Sequence, residues 1–265
     1  MERAAYDRMR VLETAHWWFL GRRHVLTRLL AGLALPPRAR ILEAGCGVGG
    51  NIEMLAGFGT VAAFEPDEPS RDYVGARTGV TPAEGFLPDR VPYKKKSFDA
   101  VCAFDVVEHV DDDRGAVAAL ADLVAPGGYL IVTVPAYQWM WSRHDEVHHH
   151  KRRYSKAGLM EVFEASGLTP VKVSHFNAVL FPLAAAVRLA KKLARIDSDD
   201  DQMPPAFVNT LLRRLFSLES GWLARHDLPF GLSIVAIAQR PAGEGAKSPR
   251  APRKAASRIA EPSPV

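Results

Sequence analysis

Cysteine is nearly absent. Cys46 and Cys102 are the two in 265 residues, and both lie in apolar, strand-like contexts. A disulfide framework is therefore not expected, and a reducing cytoplasm fits. No stretch approaches the roughly 20 uncharged apolar residues that a membrane-crossing helix needs. The opening MERAAYDRMRVLETAHWWF lacks a continuous apolar core followed by a small-residue cleavage site, so no secretory signal is expected. An excess of one charge is also missing from most of the chain. The formal net charge is +4, and residues 241–265 carry Lys247, Arg250, Arg253, Lys254 and Arg258 against Glu244 and Glu261, a net of +3. The basic balance describes a tail, which weighs against a nucleic-acid partner. Internal repeats are absent as well.

What is present is alternation. Val25, Leu26, Leu29, Leu30 and Leu33 recur at helical spacing within residues 1–38, and Pro36-Pro37 ends that segment. Strands are expected at 40–44, 60–64, 80–83, 98–104, 129–134, 171–176 and 232–238. Helices are expected at 51–56, 70–77, 114–123 and 156–166, the last stopped by Gly167. This order predicts an α/β fold with a doubly wound, mostly parallel, seven-stranded sheet over 39–240. A helical insertion fills 178–230. The tail from 241 to 265, rich in Pro, Ala, Ser, Lys and Arg, is expected to be disordered.

The first strand runs into Gly45-Cys46-Gly47-Val48-Gly49-Gly50 and then a helix. Glycines permit the tight turn and let a ligand approach the backbone, and the helix start offers free N–H groups. Alone, this turn also fits a dinucleotide loop or an ordinary strand-to-helix junction. Two acids narrow it. Glu43 ends a buried strand, where a carboxylate needs a cationic or hydrogen-bonding partner, such as the α-ammonium of a methionine-like ligand. Glu65, followed by Pro66, ends the second strand, where an acid accepts ribose hydroxyls. Ribose plus an amino acid, without a pyrophosphate, points to S-adenosylmethionine.

ILEAGCGVGGN with AAFEPD, FDAVCAFDVVEHVDD and LVAPGGYLIVTVP together resemble the motifs of class I S-adenosylmethionine-dependent methyltransferases, over roughly residues 39–135. The resemblance implies a Rossmann-like methyltransferase fold whose final antiparallel strand lies beside the fifth. It implies that residues 1–38 are a helical lid. Gly45, Cys46, Gly47 and Gly49 would line the methionine end and Glu65 would hold the ribose. Phe104, Asp105 and Val106 would close the site beside the sulfonium. Where many relatives carry an adenine-binding acid, this chain reads Ala83-Glu84-Gly85-Phe86, so Gly85 and Phe86 are placed at the adenine, with Glu84 as the other candidate.

For the acceptor side, a base belongs at the carboxyl ends of the fourth and fifth strands. His109 is one candidate; packing in the following helix is its bland role. Residues 142–154, SRHDEVHHHKRRY, roof the pocket, and relatives resemble this stretch too. Here His144 with Asp145 forms an oriented base, and His150, Arg152, Arg153 and Tyr154 are acceptor contacts. A solvated loop is the other reading. His144, Asp145 and the three histidines could ligate a metal, but spacing alone assigns none. From the N-terminal His16-Trp17-Trp18-Phe19 cluster, Trp18 and Arg22 are placed at the acceptor.

The basic-apolar helices at 183–195 and 207–218 suit either a cap on the domain or peripheral membrane contact through 178–218. The fourth strand lacks the Pro-Pro-aromatic turn that holds a flipped base, so nucleic acid is not expected. The acceptor is therefore expected to be a small molecule or to be lipid-linked or glycan-linked. An NAD(P)-dependent oxidoreductase shares the glycine turn and ribose acid but leaves Glu43 without a purpose. A non-catalytic cofactor-binding module is the third reading.

Overall fold

A computed structural model describes residues 3–194 and 202–242 of the chain. The acidic run 197–201 and the tail beyond residue 242 lie outside the described residues.

Two helices open the chain, α1 (Arg3–Ala15) and α2 (Trp17–Ala31), separated at His16, which caps α2 by accepting from the Trp18 N–H. Then follow β1 (Ala39–Ala44), α3 (Ile52–Ala56), β2 (Gly59–Phe64), α4 (Glu68–Thr78) and β3 (Phe98–Phe104). The next elements are α5 (Asp113–Leu123), β4 (Val124–Pro135), α6 (Arg143–Val147), α7 (Lys156–Phe163) and β5 (Thr169–Phe176). The last of the described elements are α8 (Phe181–Ala194), α9 (Ala206–Leu218), α10 (Ser220–Leu223) and β6 (Ser233–Gln239).

The sheet has the order β2-β1-β3-β4-β6-β5. β2, β1, β3 and β4 run parallel, and β6 pairs antiparallel with both β4 and β5. Among the described residues it has six strands, not the expected seven. The segment at 80–83 makes a single parallel bridge, Ala83 to Phe64, instead of a strand. Ala83 donates to the Ala63 carbonyl and accepts from the Glu65 N–H, and the chain then turns back on itself where Phe86 pairs with Arg90.

Successive side chains alternate between two covered faces. Leu42, Val101, Ala103, Leu130 and Val132 pack with Val117 and Leu120 of α5 and Leu159 of α7. Ile41, Cys102, Phe104, Ile131 and Val235 pack with Val25, Leu26 and Leu30 of α2 and Phe216 of α9. Each fully buried leucine such as Leu26 or Leu30 contributes about 1.5–3 kcal/mol. Burial of both faces explains why the parallel strands read as continuous apolar runs. Strand order reverses between β1 and β3, and the crevice at the carboxyl ends there is where ligands bind in such sheets.

Candidate functional site

At that crevice lies a cavity of about 830 Å³. Gly45, Gly47 and Gly49 all adopt left-handed backbone angles, which only glycine takes up without strain. They do not play the same part. A Cβ on Gly47 would meet only Met9 Cε, at 3.8 Å, so this glycine leaves the wall open. A Cβ on Gly45 would press on Val106, and one on Gly49 would press on Val74 and Arg77. Gly49 is not part of the cavity wall, and its hydrogen is needed for packing against α4.

Glu43 is 2% exposed. Asn51 Nδ2 donates to its Oε1 at 2.8 Å, and its Oε2 has no partner. Burial pushes its pKa up to about 8. Glu13, from α1, stands nearby with an unpartnered Oε2, and burial raises it to about 7. Buried carboxylates with a free oxygen on a cavity wall suit a ligand cation such as an α-ammonium. Glu65 is held differently. It accepts from the Gly47 N–H at 2.9 Å, from the Tyr6 hydroxyl at 3.1 Å and from the Asp67 N–H at 3.2 Å. Pro66, Cys46 and Phe86 share the wall, and burial pushes the Cys46 thiol up, keeping it protonated. Gly85 stays off the wall, packed against Pro92 and Arg90.

At the end of β3, Phe104, Asp105 and Val106 form the floor. The Asp105 carboxylate pairs with Arg22 Nη1, and the guanidinium lies over the Trp18 ring, 4.6 Å from its centroid. This pairing links α2 to the fourth-strand motif across 83 positions of sequence.

The roof is built around Asp145, which is fully buried behind the wall. It accepts from the Ser142 N–H, from His150 Nδ1 and from Arg153 Nε, each at 2.8 Å. Burial would raise its pKa, but the His150 hydrogen bond and the Arg153 charge outweigh it and hold the carboxyl well below the usual range. The acid thus fixes His150 and Arg153. His144, His150 and Arg153 face the cavity together with His109. Burial, then the neighbouring His150 and His148, push the His109 pKa down to about 3. Arg152 and Tyr154 point elsewhere. Both bind Asp113 Oδ2 at 2.8 Å, Arg152 as an ion pair and Tyr154 through its hydroxyl.

Polar wall residues to which the sequence pointed no role include Tyr6, Glu13, Asn51 and Glu108. Asn51, directly after the glycines, and Glu108, within the fourth-strand motif, carried a readable signal as polar residues beside buried runs. Tyr6 and Glu13 carried none, because only packing of α1 over the glycine turn brings them in.

Two buried acids and an open glycine turn line the crevice at the switch point, and the fold is that of the class I methyltransferases. The family described as a methyltransferase domain matches residues 18–173. The chain belongs to that family and is an S-adenosylmethionine-dependent methyltransferase, not an oxidoreductase. A protein of Mycolicibacterium smegmatis named as a probable S-adenosylmethionine-dependent methyltransferase is 26% identical over 256 residues, covering 87% of this chain and 91% of its own. A ubiquinone biosynthesis O-methyltransferase of Vibrio campbellii is 25% identical over 175 residues, covering 58% of this chain and 73% of its own. Among solved structures, a methyltransferase in complex with the Haloferax volcanii Trm112 methyltransferase activator superposes with a TM-score of 0.61 at 17% identity, covering 92% of this chain and 97% of that one.

Proposed function

We propose that this methyltransferase acts on a small-molecule or lipid-linked acceptor, a glycan-linked one included, with an apolar group entering past α8. One observation carries the reading: the same cavity runs from Glu43 and Glu65 past Asp105 to the histidine roof, and on to Leu183, Val187 and Leu212. A cavity with charged groups at one end and aliphatic side chains at the other suits an amphiphilic acceptor. The likeness to a ubiquinone biosynthesis O-methyltransferase supports oxygen as the accepting atom.

S-adenosylmethionine supplies an electrophilic methyl group on a sulfonium. The residues present fit it. The free oxygen of Glu43 receives the α-ammonium, and Glu65 exchanges Tyr6 for the ribose hydroxyls. Phe86 borders the adenine. Trp18 and Phe19 exclude water, while the Arg22–Asp105 pair closes the floor. Arg153, held by Asp145, faces an anionic or polar acceptor group. His144 takes the proton that the acceptor loses, and the buried His109 is too weakly basic for that part.

The test is transfer of radiolabelled methyl by the full-length protein to separated lipid and polar metabolite extracts, with Glu65→Ala as control. Label is expected in the lipid extract and absent with the variant, which stays folded while its affinity for S-adenosylhomocysteine drops by about tenfold or more. Unchanged affinity would remove Glu65 from the ribose. Label confined to the polar extract would remove the lipid-linked acceptor.

Peripheral membrane contact through 178–218 belongs to the same proposal. None of the described residues forms a helix long and apolar enough to cross a membrane. α8 buries no side chain, and Leu183, Leu189 and Leu193 are exposed beside Lys191 and Lys192.

A further inference from the structure

Glu108 sits in the turn after β3 with no exposed surface, and among the described residues no other side chain or backbone group hydrogen-bonds its carboxylate. The two guanidiniums beside it are engaged elsewhere. Arg22 is paired with Asp105, and Arg153 gives Nε to Asp145 and Nη1 to the Ala136 carbonyl. A buried carboxylate without a hydrogen bond is costly unless something on the cavity side serves it. Glu108 lines the cavity.

Among the described residues, Glu108, His109 and His150 each bring a ligand-type atom within 4.8 Å of the other two. The two imidazoles meet edge to face, with centroids 4.7 Å apart. Both rings are oriented from behind. Asp145, an acceptor only, takes the proton of His150 Nδ1 at 2.8 Å, which leaves Nε2 as a lone-pair donor. The His109 ring is hydrogen-bonded to the backbone of His148. Histidines that ligate metals are held in this way, with the far nitrogen anchored on a carboxylate or carbonyl.

We propose that Glu108, His109 and His150 bind a divalent first-row transition metal ion on the acceptor side of the cavity. Two imidazoles and one carboxylate favour manganese, iron or zinc over magnesium or calcium, which prefer all-oxygen shells. Three protein ligands leave positions open toward the cavity. A hydroxyl oxygen of the acceptor fills one of them, and coordination makes its proton easier to lose. The proton passes to His144, the oxygen–methyl bond forms as the sulfur–methyl bond breaks, and the thioether departs. This last role rests on the methyltransferase reading above; the binding of the ion does not. The sequence offered His144, Asp145 and the three histidines as metal ligands, and spacing alone could not show that His150 meets Glu108 and His109 instead.

The full-length protein, stripped with chelator and dialysed, is titrated with Mn²⁺, Zn²⁺ and Mg²⁺ by calorimetry. Co²⁺ is then added and its visible absorption recorded, a signature of imidazole ligation that a merely structural role would not produce. One equivalent of Mn²⁺ or Zn²⁺ is expected to bind, more tightly than Mg²⁺. Glu108→Gln and His150→Asn are each expected to weaken it by about tenfold or more and to alter the Co²⁺ spectrum. If Glu108→Gln does not fold, His150→Asn decides. No binding at millimolar metal, or binding that neither variant changes, overturns the site. S-adenosylhomocysteine affinity measured on the same samples separates the two readings. Cofactor binding without metal binding sinks the metal site alone. Metal binding without cofactor binding sinks the cofactor placement.

Discussion

Glu43 and Glu13 lie close enough to repel at the cavity wall, each with an oxygen that nothing among the described residues satisfies. Both are neutral over much of the pH range in which an exposed carboxylate is charged, since burial raises them from 4.5 to about 8 and about 7. A proton kept in the folded chain and lost in the unfolded one stabilises the fold. That stability is full below about 4.5 and is lost as pH rises through about 7 for Glu13 and about 8 for Glu43. Glu43→Gln, neutral at every pH, avoids the loss. Thermal melts without ligand should therefore show the variant gaining on the parent as pH rises from about 5 to about 8, by a few degrees at the upper end. The reverse trend would mean that Glu43 is ionised and paired in the free protein.

Among the elements, the seam between α2 and α9 holds the insertion onto the sheet. Gly21 permits it. A Cβ there would lie 2.3 Å from Phe216 Cδ1, and that ring is fully buried and stacked on Phe176. Gly21→Ala gains about 1 kcal/mol in helix propensity, but overpacking costs typically about 1–3 kcal/mol. A lower urea midpoint is expected; an unchanged or higher one would show that α9 shifts freely. A second fastening lies where β5 meets α8. Glu219 accepts from the backbone N–H groups of Asn177 and Ala178, the latter at 2.7 Å, and positions the helix whose Leu183 and Val187 line the cavity.

For the whole molecule, the same helices border the route by which the proposed amphiphilic acceptor would reach the cavity. Leu193 is 77% exposed and Phe207 76%, with Lys191, Lys192, Arg213 and Arg214 on the same pair of helices. Exposed apolar side chains among cations suit an anionic lipid surface. The full-length protein should co-sediment with anionic vesicles and much less with neutral ones, and Phe207→Glu with Leu193→Glu should release it. Protein left in the supernatant with anionic vesicles would end the membrane reading.

The fold was legible wherever local pattern suffices: β1, β2, β3, β4 and β6 as apolar runs, and α5 and α7 between them by spacing and by Gly167. It was not legible at residues 80–83, where composition suggested a strand but Ala83 alone bridges to β2 before the chain turns back at Phe86. At the site, the glycine turn, Glu43, Glu65 and Asp105 could be placed because strand ends are local features with defined neighbours. The sequence by itself therefore determined a doubly wound sheet with a crevice at the carboxyl ends of its strands. Only the tertiary structure decided that Asp145 serves His150 and Arg153, that Arg152 and Tyr154 turn away to Asp113, and that Tyr6 and Glu13 close over the turn. Those pairings join residues far apart in the chain or on different faces of one loop, and no periodicity encodes which side chains meet once helices pack across a sheet.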